Sequence, residues 1–345
     1  MKKYFIVYHK DDNDGVLSAA MFINYLTNVR KVSRDDIETL GADYNTLSEF
    51  SKENTPKTLH EQYENLIVTD ISFSEPDYMK KLYKEFGNKM IWCDHHLPII
   101  KESLLKGWDG IPGERLTDRS AILCAYKFLY DPLDEDWTSD QVPGILNILS
   151  AWDSWTYEQR GLDRDLVRNV NKGVTFEMNL DLEEMCHFDI MLAFHQNISS
   201  MNEYYRDKVK EVSGMMVRRF EEIGRTLNLY DDRNSENNIK SCGDLEWKVV
   251  DDETGDHTAC ALFIQGASNS QMFKSLEGAD IRHGIVFKHQ KNSNWTLSLY
   301  NLNDYDEFHC GEFLKKKYGG GGHKGAAGCT LTEKQFIEIL QCKCI

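Results

Sequence analysis

The chain has 345 residues, of which 41% are hydrophobic and 28% charged, a composition typical of a globular protein long enough for two domains. Its formal net charge of -16 argues against tight, non-specific binding of long duplex DNA, which depends on many lysine and arginine contacts to phosphates. A short nucleotide ligand held through divalent cations stays compatible with this charge, because bound cations reverse the local field.

Cysteine usage and the N-terminus bear on the compartment. Nine cysteines occur without a C-x-x-C pair, which favours free thiols in a reducing cytosol over a disulfide framework. The N-terminus runs directly into a strand-like segment rather than a signal peptide, and no apolar run approaches the ~20 residues of a membrane span. We therefore expect a cytoplasmic protein without membrane contacts.

The first predicted strand, Tyr4–Tyr8, ends in the acidic segment His9–Gly15. A helix pattern follows at once, with Asn13 or Asp14 as its expected cap. A capped polar turn is the simpler interpretation. However, three aspartates and a histidine exceed what a cap needs, and crowded carboxylates repel one another unless a positive charge lies between them. The segment therefore favours a metal site.

A second apolar run, Asn65–Ser72, carries Asp70 near its end, and Glu75–Phe86 has the pattern of a helix. A strand that ends in a carboxylate and is followed by a helix repeats the arrangement at the N-terminus. Successive strand–helix units of this kind predict a parallel sheet with right-handed crossovers.

A third apolar run, Met90–Cys93, leads into Asp94, His95 and His96, and we expect the chain to break at Pro98. The bland interpretation is a strand with a solvated polar tip. Aspartate and histidine together are ligands for Mn²⁺, Fe²⁺ or Zn²⁺. Because ligands bind at the carboxyl ends of strands in open α/β sheets, the three strand ends predict one site along one sheet edge.

Two helices add candidates. Ala121–Tyr130 follows Arg119 and Ser120, which would face the site from the first turn because helix N-termini attract anions; a capped helix with a solvated arginine is an equal alternative. In the predicted helix Val142–Ser154, Asp153 ends an apolar run, and such an acid is costly to bury without a cation. Asp153 is thus a candidate ligand or, alternatively, a satisfied helix-end residue.

The second half begins with predicted helices at Asp181–Phe194 and Met201–Leu227, the latter long enough to connect two domains. The polar segment Asp231–Asn238 breaks the pattern, so we expect the second domain to start there. Its predicted strands are Trp247–Val250, Ala259–Ile264, Gly284–Lys288 and Trp295–Tyr300. Its predicted helices are Ser270–Leu276, Glu307–Tyr318 and Glu333–Leu340.

Near the C-terminus, the four glycines Gly319–Gly322 precede His323 and Lys324. Glycines permit unusual backbone angles and a close approach of backbone amides to a ligand. A flexible linker is the alternative interpretation, although the His323–Lys324 pair and the following Gly325–Gly328 segment are less typical of a linker.

Taken in order, these elements resemble a DHH-superfamily phosphoesterase with the DHH-associated C-terminal domain. The matching elements span nearly the whole chain: the Asp12-x-Asp14-Gly15 turn, Asp70, Asp94-His95-His96, Asp153 and the Gly319–His323 loop. The resemblance implies an α/β fold with the active site in a cleft between two domains. We expect a parallel-sheet catalytic domain at 1–198, a connecting helix at 199–230 and a smaller α/β substrate-binding domain at 231–345.

The resemblance further implies two divalent cations, usually Mn²⁺, with Mg²⁺ or Co²⁺ as alternatives. The ligands of one would be His9, Asp12 and Asp70. The ligands of the other would be Asp14, Asp70, His95 and Asp153, so that Asp70 bridges the two. The gap between His9 and the aspartate pair differs by one residue from the commoner spacings of the family, which leaves Asp11 as an alternative to Asp12.

The remaining family positions concern the substrate. His96 would face the phosphate and help to protonate the leaving oxygen, and Asp94 would orient a neighbouring imidazole. Further substrate contacts are expected from Arg119, Ser120, Gly320, Gly321, Gly322 and His323. Many relatives carry an arginine on the strand before the glycine loop, whereas Ser298–Asn301 has none, so the grip on a phosphate or base differs here.

Three functions stay open at this point. The first is a metal-dependent phosphodiesterase that converts short oligonucleotides or small nucleotide signals, such as cyclic dinucleotides or the S-adenosylmethionine–AMP conjugate, to nucleoside monophosphates. The second is an adenosine 3′,5′-bisphosphate phosphatase, and the third is a non-catalytic nucleotide sensor. Relatives are often dimeric, so a homodimer is a further expectation.

Overall fold

A computed structural model describes residues 2–73, 77–130, 142–188, 203–264, 268, 270–276, 279–290, 294–302 and 308–345. The chain divides into two compact units, Met1–Leu227 and Asn228–Ile345, and each is described by itself. The predicted domain boundaries and the predicted cleft stay predictions. Within the described ranges, no helix combines the length and apolar character needed to cross a bilayer.

The first unit is built on a four-stranded, entirely parallel sheet, as predicted. Its strands, in chain order, are β1 Lys2–His9, β2 Ile37–Ala42, β3 Tyr63–Thr69 and β4 Met90–Cys93, and their spatial order is β2-β1-β3-β4. β2 was not predicted. Most of its side chains are only half-buried at the sheet edge, so it lacks the apolar run that marks the other three strands.

Helices cover both faces of this sheet. They are α1 Asn13–Asn24, α2 Tyr44–Glu53, α3 Pro56–Gln62, α4 Tyr78–Phe86, α5 Leu97–Lys106, α6 Ala121–Tyr130, α7 Gly144–Asp153, α8 Arg164–Met178 and α9 Leu182–Cys186. Successive residues of β1 point to opposite faces: Ile6 packs into the layer with α1, whereas Phe5 and Val7 pack into the layer with α4. Both faces are therefore apolar, which explains the continuous hydrophobic runs.

Several predicted boundaries were wrong. Asp12, rather than Asn13 or Asp14, caps α1 by accepting a hydrogen bond from Gly15 N. Pro98 lies in the first turn of α5, where proline suits a helix, so the chain turns into a helix rather than breaking. Within the predicted helix 181–194, α9 covers Leu182–Cys186 and residues 187 and 188 are not helical, while 189–194 lie outside the described residues.

The predicted helix 75–86 begins only at Tyr78, and its residues 75 and 76 lie outside the described part of the chain. The connecting helix, α10, runs over Glu203–Cys242 and continues through the polar segment that was expected to break it. That segment contains neither proline nor glycine, so it can stay helical with its polar side chains in water. Lys240 Nζ and Glu236 Oε1, one turn apart at 2.8 Å, add a favourable pair.

The second unit has a six-stranded sheet of order β5-β6-β7-β8-β10-β9, in which only β6 and β7 pair in parallel. The four predicted strands are confirmed as β5 Asp244–Asp251, β6 Gly255–Ile264, β7 His283–His289 and β8 Trp295–Asn301. β9 Gly321–Gly322 and β10 Ala326–Leu331 were not predicted.

The helical elements of this unit are a 3₁₀ segment at Ser270–Leu276, α11 Cys310–Tyr318 and α12 Glu333–Cys342. α11 starts three residues later than predicted, after His309, which accepts a hydrogen bond from Glu312 N as the cap. The predicted α/β character of both units is confirmed.

Candidate metal centre

Three neighbouring strands deliver their last side chains to one edge of the first sheet. His9 ends β1, Asp70 follows β3, and Asp94 follows β4. Because the strands are parallel, these carboxyl ends lie together. A side chain on Gly15 would overlap the backbone oxygen of His9, so this glycine lets α1 start directly against β1.

His9, Asp12 and Asp70 form the first group, with one ligand atom of each within 4.8 Å of the others. His9 Nδ1 lies 2.7 Å from Asp12 Oδ2 and 3.6 Å from Asp70 Oδ2. Asp11 is 56% exposed and reaches His9 Nε2 only at 3.8 Å. The geometry thus favours Asp12 over Asp11, even though Asp12 also caps α1.

Asp14, Asp70 and His95 form a second group with the same spacing, and all three are buried. His95 Nε2 lies 3.6 Å from Asp14 Oδ2 and 3.3 Å from Asp70 Oδ1. Asp153, at the end of α7, adds a carboxylate 3.1 Å from the same nitrogen. Asp70 belongs to both groups, so it stands where a bridging ligand is required.

The carboxylate of Asp14 is fixed from the opposite side. Its two oxygens accept hydrogen bonds from Ala121 N at 2.7 Å and from Ile122 N at 2.8 Å, at the start of α6. The N-terminus of a helix is a favourable place for a buried negative charge. α6 therefore orients this carboxylate before any ligand binds.

Asp70 has left-handed backbone angles, with φ of 57°. Such angles are uncommon outside glycine, although aspartate and asparagine tolerate them best. Asp70 N donates to Cys93 O at 2.9 Å, which ties the turn to the end of β4. The turn aims the carboxylate at both groups, and local strain of this type is typical of functional sites.

The charges of the site are unbalanced without a cation. Burial, followed by the charges of Asp70 and Asp153, raises the pKa of Asp14 well above its usual value. Burial alone would lower the pKa of His9, but the contacts with Asp12 and Asp70 together outweigh burial and raise that pKa to about 12. Burial likewise opposes protonation of His95, whereas its contact with Asp153 raises its pKa. Protons therefore occupy places that a metal ion would take.

Asp94 has a different environment from the other acids. It is fully buried and accepts hydrogen bonds from Trp92 Nε1, from two backbone amides and, at 2.7 Å, from His96 Nδ1. Burial by itself would lower the pKa of His96, but the charge and hydrogen bond of Asp94, together with the charge of Asp70, outweigh burial and raise this pKa. The side chain of His96 stays 19% exposed, so one face is open to a ligand.

Arg119 and Ser120 lie just before α6. The side chain of Arg119 is 22% exposed and its Nε is 3.5 Å from the exposed Asp118 carboxylate. Ser120 is buried, and its amide donates to Ser150 Oγ at 3.1 Å. Both residues therefore precede, in the sequence, the amides that hold Asp14, and their contact with a substrate stays a prediction.

Gly320, Gly321, Gly322 and His323 belong to the second unit. They form a narrow turn in which β9 pairs with β10 and His323 N donates to Ala326 O at 2.7 Å. Gly322 has φ of 140°, and side chains on Gly320 or Gly322 would overlap β10. Gly320 and Gly322 are thus required by the hairpin itself, and the role of this segment in substrate binding stays a prediction.

Sequence reasoning missed Arg160, which lies in the turn after α7. Its guanidinium donates to Asp118 O at 2.9 Å, to Asn147 Oδ1 at 3.0 Å and to Ser154 Oγ at 3.3 Å. The sequence shows only that this arginine lies seven residues after Asp153, the residue that ends the apolar helix α7. Nothing in that spacing alone separates it from a solvated side chain.

Residues 3–111 match the family model described as "DHH family, N-terminal domain". Among curated proteins, the chain is similar to oligoribonuclease NrnB of Bacillus subtilis (strain 168), with 20% identity over 335 residues that cover 96% of this chain and 73% of that protein.

Two solved structures are also similar over 99% of this chain. One is an exopolyphosphatase-related protein from Bacteroides fragilis, with 12% identity, 91% of that chain covered and a TM-score of 0.46. The other is PggH, a pGpG-specific phosphodiesterase from Vibrio cholerae, with 12% identity, 97% covered and a TM-score of 0.41.

Proposed function

We propose that this protein, whose residues 3–111 match the model of the DHH family N-terminal domain, is a metal-dependent phosphodiesterase that hydrolyses short oligonucleotides or small nucleotide signals to nucleoside monophosphates. The observation that carries the proposal is the shared carboxylate. Two groups of ligand atoms meet at Asp70, one with His9 and one with His95, at the carboxyl edge of the sheet.

The donor set fits a pair of divalent cations. Imidazole nitrogens mixed with carboxylate oxygens suit Mn²⁺, with Mg²⁺ and Co²⁺ as alternatives. The proposed ligands are His9, Asp12, Asp14, Asp70, His95 and Asp153. Their four carboxylates match the four positive charges of two such ions, which relieves the repulsion that raises the pKa of Asp14.

When bound, such a pair supplies an activated water and neutralises charge on the phosphoryl oxygens. The protein's own groups complete the reaction. His96, protonated through its contact with Asp94, faces the open side and donates a proton to the leaving oxygen. Arg119 and Ser120 bind the phosphate from the start of α6, and Gly320–Gly322 and His323 of the second unit are further candidates for substrate binding.

The preference for short substrates rests on charge and on the relatives. A net charge of -16 disfavours long duplexes, whose binding needs many cationic side chains. The curated relative named above is an oligoribonuclease. We therefore place this chain among enzymes for short nucleotide substrates.

The test is a panel of dinucleotides, cyclic dinucleotides, adenylate conjugates and adenosine 3′,5′-bisphosphate, incubated with Mn²⁺ and resolved by chromatography. Release of AMP from a diester supports the proposal. Release of orthophosphate alone points to a phosphatase, and no product at all points to a sensor. A parallel reaction with EDTA and one with the Asp70→Asn variant show whether any product depends on the metal centre.

A further inference from the structure

The last three residues of the second unit are held against β5 by backbone hydrogen bonds. Lys248 N donates to Lys343 O at 3.0 Å, and Ile345 N donates to Lys248 O at 3.1 Å. The side chain of Ile345 is buried in the core of this unit. Because successive residues of an extended segment point to opposite sides, this anchor turns the side chain of Cys344 towards the surface, where it is partly exposed.

A left-handed residue brings a second thiol to the same place. Cys342 is the last residue of α12, and Lys343, with φ of 50°, follows the helix in the left-handed region. Lys343 Nζ lies 2.9 Å from Asp244 Oδ2 and 2.9 Å from Glu246 Oε2, so this side chain is paired with the start of β5. The turn places the Sγ atoms of Cys342 and Cys344 2.9 Å apart, with Cys344 as the donor. The two thiols therefore face each other in the fold.

These two thiols differ in their access to solvent from the other thiols that the structure describes. Cys342 is exposed and Cys344 is partly exposed, whereas the remaining described cysteines are buried. Burial is the main cause that raises the pKa of Cys260 to about 11, and burial raises the pKa of Cys329 to about 12. Buried thiols of this kind are inert. A dissolved oxidant thus reaches two neighbouring thiols at the end of α12 and meets closed sites at the other described cysteines.

The sulfur positions suit a disulfide better than a metal site. Structural zinc takes four ligands, and the groups of potential metal ligands found in the described part of the chain include neither Cys342 nor Cys344. A disulfide, in contrast, requires only that the two sulfurs approach to about 2.0 Å. In a reducing compartment such a bond is transient, and exposed disulfides are the ones that are readily formed and broken.

We propose that Cys342 and Cys344 form a reversible disulfide by exchange with a small-molecule disulfide such as glutathione disulfide, which makes the end of α12 a redox-modification site. The exposed Cys342 loses its proton, and its sulfur attacks one sulfur of the oxidant; the S–S bond of the oxidant breaks and one glutathione leaves. The sulfur of Cys344, after loss of its proton, then attacks Cys342 Sγ, and the second glutathione leaves. Two electrons and two protons pass from the protein to the oxidant, so one glutathione disulfide yields two glutathione thiols.

The inference is independent of the proposed function, because neither cysteine belongs to the metal centre, and its test contains no nucleotide. The folded protein is incubated with an excess of glutathione disulfide, and the remaining free thiols are then alkylated with iodoacetamide in urea. Cleavage after Glu338 releases the peptide 339–345, which contains both cysteines and no other. We expect this peptide to lose two hydrogens and to take up no alkyl group, and dithiothreitol should reverse the change. Cys310 and Cys329, which are buried in the same unit, are internal controls and should be recovered alkylated.

A single variant separates the two steps of the exchange. Cys344→Ser lacks the thiol that resolves the mixed disulfide, so this variant should accumulate one glutathione on Cys342, whereas the wild type should accumulate none. The contribution of the fold is measured by the equilibrium with glutathione for the folded protein and for the urea-unfolded chain. We expect the folded state to favour the disulfide by at least about tenfold, because thiols held next to each other have a higher effective concentration.

Four results overturn the proposal. In the first, Cys342 and Cys344 are both recovered alkylated after the incubation. In the second, each carries a stable glutathione in place of the intramolecular bond. In the third, the disulfide joins two chains and appears as a dimer on a non-reducing gel. In the fourth, the folded and unfolded chains have the same equilibrium constant, which removes the role of the turn at Lys343.

Discussion

Replacement of Asp70 by asparagine removes the negative charge that both groups of ligand atoms share. Asparagine has nearly the same size as aspartate and tolerates the left-handed backbone angles of this position. Its backbone N–H would still donate to Cys93 O, so the fold should persist. The free energy of unfolding should change far less than catalysis does.

The expected loss follows from that double role. Disturbing the partner of a single metal ligand typically costs 10–100-fold in affinity or activity. Because Asp70 serves both groups, the two losses multiply to roughly 10²–10⁴-fold in kcat/KM, which corresponds to about 3–5 kcal/mol of transition-state stabilisation.

The assay measures initial rates of pApA hydrolysis over a range of Mn²⁺ concentrations, with circular dichroism to confirm the fold. Asp36→Asn is the matched control, because Asp36 pairs with Lys3 just before β2, at the edge away from the site. Asp36→Asn should retain wild-type activity. The reasoning would be refuted if Asp70→Asn kept more than a tenth of the wild-type kcat/KM at equal Mn²⁺.

Three further outcomes are expected. Asp94→Asn should lower the pKa of His96 and so move the alkaline limb of the pH–rate profile to lower pH; an unchanged limb contradicts the proposed acid role. Mn²⁺ binding should release protons and tighten with rising pH. The metal-free protein should lose thermal stability as the pH rises above 6.5, because the pKa of His9 is raised from 6.5 in the unfolded chain to about 12 in the folded state. A thermal stability that stays constant between pH 6.5 and 9 contradicts this linkage. In α10, Gly224→Ala should destabilise the protein by about 1–3 kcal/mol in urea titrations, because the added carbon overlaps a backbone oxygen of α8. The control Gly214→Ala in the same helix meets no such contact and should not destabilise the protein.

The parallel sheet was predictable because β1, β3 and β4 carry apolar runs and each leads into a polar residue. The same logic placed His9, Asp70 and His95 at one edge, since parallel strands share the direction of their carboxyl ends. β2 escaped prediction because a sheet-edge strand is only half-buried and its composition resembles that of a loop.

Details that depend on tertiary contacts were not predictable. Asp12 both caps α1 and approaches His9, and no local pattern separates these roles from those of Asp11. The left-handed turn at Asp70 depends on the hydrogen bond to the end of a neighbouring strand. Arg160 contacts the Asp118 backbone and Asn147 only through the tertiary packing of the turn after α7, which its spacing in the sequence does not reveal.

Electron paramagnetic resonance of the Mn²⁺-loaded protein tests the central claim most directly. If Asp70 bridges two ions, titration with Mn²⁺ should give two bound ions per chain and a spectrum with exchange coupling, which Asp70→Asn should abolish. A spectrum of isolated, uncoupled Mn²⁺ at saturation in the wild type would contradict the shared centre.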